Sequence, residues 1–109
     1  MEIKENEKFC IITPLSPKLN ERESLKIENE ILNSSNKRIG IDLSFVQDCT
    51  IDFINRIINL KNISLFNIPS DIFAILTSMN LDKSIPLFVS EMDFIDNKHQ
   101  LLNRKFFIV

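Results

Sequence analysis

The sequence predicts a single α/β sandwich: a mixed, largely parallel sheet of about four to five strands with helices packed on it. Three observations carry this. Short apolar runs of strand length recur along the chain, and segments with helical spacing separate them. No internal repeat, low-complexity tract or long linker divides the 109 residues. That length fits one domain, 1–109, with one modest core.

Taken in order, "KFCIITPL" is the first apolar run, closed by Pro14 and Pro17. A helix follows in "LNERESLKIENEILNSS". Asn20 can cap it, with Glu23 returning the bond as in a capping box. Leu25 with Leu32, and Ile27 with Ile31, put apolar groups on one side of that helix, and its charged remainder is read as a solvated face. "RIGIDLSFV", residues 38–46, has the Ile, Leu and Val content of a central strand. The polar turn Gln47 to Asp52 leads into a short helix over 51–60, with Ile54, Ile57 and Ile58 at helical spacing and Thr50 or Asp52 as its cap. "NISLFNI" is a third strand. "PSDIFAILTSMN" is a helix that starts at Pro69 or Ser70 and buries Ile72, Ile75, Leu76 and Met79. Asn80 suits a left-handed position at its end. "SIPLFVS" is a fourth strand, "EMDFIDNKHQLL" a last helix, and "RKFFIV" an added strand or a docked tail.

Composition narrows the function. The chain is 44% apolar and 26% charged, with a formal net charge of −2. Scattered Lys and Arg at that charge argue against nucleic-acid binding. No window approaches the ~20 apolar residues of a membrane span, and the acidic "MEIKENEKF" is unlike a secretory signal. A soluble cytoplasmic domain is expected. Cys10 and Cys49 lie in apolar segments and are expected reduced and buried. Gly40 is the only glycine, so no Gly-rich loop can cradle a phosphate. His99 is the only histidine, which removes a multi-His metal site, and the spacing of Cys10, Cys49 and His99 fits no zinc pattern. Trp and Tyr are absent. These absences argue against an enzyme and predict no cofactor and no metal.

The order strand, helix, "IDLSFV", polar turn, helix, strand, "IPSDIFAILTSMNL", strand resembles the STAS domain over residues 8–96, leaving 97–109 as an extra tail or strand. That family includes bacterial anti-sigma-factor antagonists, the cytoplasmic tails of anion transporters and a small subunit of a lipid-transport ABC system. "IDLSFV" at 41–46 is similar to the family's central strand. "AILTSMNL" at 74–81 is similar to its helix ending in Gly-Leu, here Asn80-Leu81. Antagonists usually carry Asp-Ser-Ser-Gly or Asp-Thr-Ser-Gly in the turn, and the first hydroxyl residue accepts a phosphate from a partner kinase. The preferred ungapped placement sets Thr50 at the aspartate, Ile51 at the acceptor, Asp52 after it and Phe53 at the glycine. Sliding by two residues brings Asp48 and Cys49 to the aspartate and acceptor positions instead. Neither placement restores the motif. The interval from Ile54 to "NISLF" also makes the helix after the turn about two turns shorter than the family's.

The resemblance implies a protein-interaction module whose partner docks on Asp48, Cys49, Thr50, Ile51, Asp52 and Phe53. Among antagonists that partner is an anti-sigma factor or a GHKL-type kinase. Thr50, the sole hydroxyl in the turn, is the one candidate phosphoacceptor, against its plainer reading as a helix cap. A phosphate there would add about −1.5 to −2 charges and block docking. A second reading is a constitutive STAS subunit of a transport complex, partnered by its ATPase, which needs no phosphoacceptor. A third, a small-ligand sensor, needs a pocket with converging polar groups, and the sequence shows none. If exposed, "RKFFIV" suits self-association, for instance as a homodimer, or a partner.

Overall fold

The computed structural model describes residues 1–34, 36–98 and 100. Seven strands and four helices follow one another: β1 (Glu2–Glu5), β2 (Phe9–Thr13), β3 (Lys18–Leu19), α1 (Glu21–Asn33), β4 (Arg38–Asp42), β5 (Asp48–Cys49), α2 (Ile51–Ile58), β6 (Ile63–Phe66), α3 (Ser70–Ser78), β7 (Leu87–Phe88) and α4 (Glu91–Asp96). One sheet runs β1-β2-β4-β6-β7, with β1 antiparallel to β2 and every other pairing parallel. β3 and β5 form a separate two-residue parallel pair. The mixed, mostly parallel sheet agrees with the class the sequence predicts, but its antiparallel edge strand β1 is not among the predicted strands.

Period-two alternation sorts the strand residues onto two faces. Cys10, Ile12, Ile39, Ile41, Ile63, Leu65 and Leu87 point into the main core, which α1, α2 and α3 close with Ile27, Ile31, Phe53, Ile54, Ile57, Ile72 and Leu76. Full burial of each such side chain contributes on the order of 1.5–3 kcal/mol. The other face carries Ile11, Phe66 and Phe88, and α4 covers it through Phe94. That helix has only six residues, so packing rather than helix propensity must hold it. The Phe94 ring stacks on Phe66 at 5.5 Å between centroids, meets Phe9 and Phe88 edge-on at 6.0 Å each, and lies 4.4 Å under the Arg38 guanidinium.

The single glycine now has a reason. A Cβ on Gly40 would come within 2.8 Å of Phe66 and of two atoms of the Phe94 ring, so the ring rests directly on bare β4 backbone. Left-handed backbone falls instead to Asn62, Asn67, Asn80 and Asn97, whose short amides tolerate that region better than other side chains. Asn80 takes the left-handed position just beyond α3, as its sequence context suggests.

Several expectations need correction. β4 stops at Asp42 rather than Val46, because Asp42 Oδ1 accepts from the Ser44 N–H at 3.0 Å and Val46 N–H closes back onto Leu43 O at 3.1 Å. Leu25 and Leu32 are exposed, and Ser24, Ile27 and Ile31 form the buried stripe of α1. Asn20 does cap α1 through the Glu23 N–H at 3.0 Å, but the Glu23 carboxylate faces Lys26 at 3.5 Å instead of returning the bond. Met79 is exposed beyond α3. The last helix ends at Asp96, where Asn97 turns left-handed. Edge strand β1, in a segment whose charge hides it, owes its place to pairing with β2. "RKFFIV" lies outside the described residues.

Candidate functional site

The C-terminal ends of β2, β4, β6 and β7 share one end of the sheet, since Asp42, Phe66 and Phe88 align across the ladder. The turn from β4 to α2 lies there. Asp42 Oδ1, besides bonding Ser44, accepts from Asn67 Nδ2 at 3.1 Å and so ties the turn to the end of β6. Gln47 and Asp48 donate their N–H groups to Pro17 O at 2.8 and 3.1 Å, and β5 pairs with β3. The turn is thus braced against the 14–19 segment.

Thr50 sits where β5 becomes α2, in extended backbone suited to an N-cap. Its hydroxyl accepts from the Phe53 N–H at 3.3 Å and donates to Leu19 O at 3.2 Å, and the same carbonyl accepts the Thr50 N–H at 3.1 Å. Both functions of the hydroxyl are therefore in use. Asp52 leaves the capping to Thr50. It pairs at 2.7 Å with Arg56, which also reaches Glu28 at 3.1 Å and Glu21 at 3.9 Å and so links α2 to α1.

The remaining sequence-nominated residues divide by exposure. Ile51, the acceptor-position residue of the preferred placement, is the first residue of α2 and 54% exposed. Asp48 is exposed, Cys49 and Asp52 are half-buried, and Phe53 is a core residue at 1% exposure that offers no surface to a partner. The Cys49 thiol is pushed up to about 11 by burial and then by the Asp48 charge, so it is a protonated, poor nucleophile at neutral pH. Burial also raises the Cys10 thiol, and both cysteines are free. Among the described residues, no three His, Cys, Asp or Glu side chains group as metal ligands, and His99 lies outside them.

Sequence reasoning missed two surface residues at this end. Phe45, assigned to a buried strand, is 57% exposed in the turn, and Leu15, in the loop that follows β2, is 48% exposed. The local signal was Asp42 with Ser44, a pairing that favours a turn over strand continuation.

Neither a protein-family model nor a curated protein matches the sequence. Among solved structures, the chain is similar to a Thermotoga maritima protein described as a candidate anti-sigma-factor antagonist. The TM-score is 0.75 at 20% identity, over 88% of this chain and 92% of that one. No helix among the described residues is long and apolar enough to cross a membrane. The likeness is one of fold, and the chain has the STAS-like fold.

Proposed function

We propose that the chain is a non-enzymatic protein-interaction module of regulatory type, docking a protein partner through the turn at 43–52 and the start of α2. One observation carries the reading: Leu15, Phe45 and Ile51 stand exposed in segments at the end of the sheet where Gln47 and Asp48 are hydrogen-bonded to Pro17. Exposed apolar side chains on a hydrogen-bonded frame suit docking, because little ordering entropy is lost when they are covered. In the same segment Asp48 and Thr50 are exposed, Cys49 and Asp52 are half-buried, and Phe53 is buried in the first turn of α2. The fold likeness and the sequence resemblance favour an anti-sigma factor or a GHKL-type kinase as partner. The committed Thr50 hydroxyl supports docking that is not switched at that residue. It equally suits a constitutive subunit of an ABC transport complex partnered by a transporter ATPase.

Affinity purification from source cells, comparing wild type with a Phe45→Asp/Ile51→Asp variant, tests the reading. An anti-sigma factor or GHKL-type ATPase retained by wild type and lost by the folded variant is the expected result. An ABC ATPase with the same dependence selects the second reading. A partner retained equally by both chains overturns the assigned surface.

A further inference from the structure

At the end of the sheet opposite the turn, a cleft of about 270 Å³ opens among the starts of β4 and β6, the chain entering β7 and the residue after α4. Its size lies just under the roughly 300–1,000 Å³ of ordinary ligand sites, enough for a compact metabolite. Ile63, Ile85 and Pro86 supply apolar wall, Arg38, Ser64 and Ser84 supply polar groups, and no lining residue is acidic.

Two of the polar groups are incompletely satisfied by the protein. Ser64 is 6% exposed, yet among the described residues its hydroxyl has no hydrogen-bond partner. That oxygen is not sealed from solvent, so it stands in the cleft as a donor open to water or a ligand. Arg38 is half-buried and donates to Phe94 O at 2.7 Å, Ile95 O at 3.4 Å and Asn97 Oδ1 at 3.4 Å. A guanidinium has five N–H groups, so two remain. None of the ion pairs among the described residues includes Arg38. Burial draws its pKa down, and no neighbouring carboxylate lifts it. The carbonyls at the end of α4 only partly compensate a desolvated cation.

We propose that this cleft binds a small organic monoanion, a carboxylate on a short apolar stem. Arg38 pairs with the carboxylate, Ser64 and Ser84 donate their hydroxyls to it, and the stem lies against Ile63, Ile85 and Pro86. One guanidinium matches one negative charge, whereas the second charge of a phosphate would find no partner in this lining. The site is separate from the turn and does not depend on the docking reading.

Amide chemical shifts of the isotope-labelled full chain, titrated with butyrate, butyramide or inorganic phosphate, test the proposal. Butyrate should shift residues 62–64 and 84–85 saturably. Butyramide should bind at least about tenfold more weakly for want of the charge-assisted bond. Ser64→Ala, which leaves the contacts of Arg38 to α4 in place, should weaken butyrate about threefold or more. Arg38→Gln should abolish saturation, and if that variant unfolds, Ser64→Ala and the butyramide comparison carry the test. No saturable shift, saturation by phosphate but not butyrate, equal binding of butyrate and butyramide, or indifference to Ser64→Ala would each overturn the assignment.

Discussion

Replacing Thr50 with alanine separates a turn that carries chemistry from one that holds the fold. The substitution removes the cap on the Phe53 N–H, a loss of about 1 kcal/mol. It also removes the hydroxyl donated to Leu19 O, but that carbonyl keeps the Thr50 N–H at 3.1 Å and is not orphaned. The second loss is therefore small, about 0.5 kcal/mol, and the sum is about 1.5 kcal/mol. For a domain near this size that lowers Tm by roughly 6–12 °C. Thr50→Ser keeps the oxygen and should recover most of the loss. Thr50→Asp should recover much of it too, because aspartate is an equally good cap. Urea unfolding of the four proteins, with scanning calorimetry alongside, reads the series. Alanine as stable as wild type, or serine and aspartate no better than alanine, would refute the capping account.

Gly40→Ala should destabilise by about 1–3 kcal/mol, since its Cβ meets two buried rings at 2.8 Å. Shortening Phe94 to leucine in the Gly40→Ala background should recover part of that loss, and chemical denaturation of single and double variants checks the coupling. Native Cys49 should react far more slowly with a disulfide reagent at neutral pH than the urea-unfolded chain does, because its thiol stays protonated. The same shift has a stability consequence. Folding holds the thiol proton that the unfolded chain releases near 9.0, so this contribution is complete below 9.0 and is lost as pH rises through about 11. Denaturation midpoints measured across that window should fall further in wild type than in Cys49→Ala, where the raised Cys10 thiol still contributes the same sign of change.

The layered architecture was legible because burial imposes its period on the sequence. Cys10 and Ile12, Ile39 and Ile41, and Ile63 and Leu65 alternate as strand residues must when one face meets a core of helices. Asn80 and Thr50 were legible because backbone geometry at helix ends limits which side chains serve there. What escaped depends on contacts distant in sequence. Nothing near Gly40 shows that a phenylalanine fifty-four positions later lies on its backbone. Glu2 to Glu5 read only as acidic and polar, and the ladder to β2 makes them a strand. Phe45 was misassigned because an apolar run was taken to continue the strand, while the Asx bond from Asp42 had already turned the chain. At the candidate site, the Thr50 cap was therefore readable, and the start of the turn and its exposed face were not. The cleft beside Arg38 was invisible for the same reason, since its lining gathers from β4, β6, the approach to β7 and the end of α4.

The central claim is that a partner docks on the turn end of the sheet. Its most direct test is the affinity of the purified partner for three folded chains: wild type, Ile51→Asp and Leu32→Asp. Ile51 and Leu32 are comparably exposed, but Leu32 lies near the far end of α1. The account predicts that Ile51→Asp weakens binding by about tenfold or more, as expected for a buried apolar contact, and that Leu32→Asp leaves it unchanged. The reverse order, with Leu32→Asp disruptive and Ile51→Asp silent, would place the interface elsewhere and contradict the account.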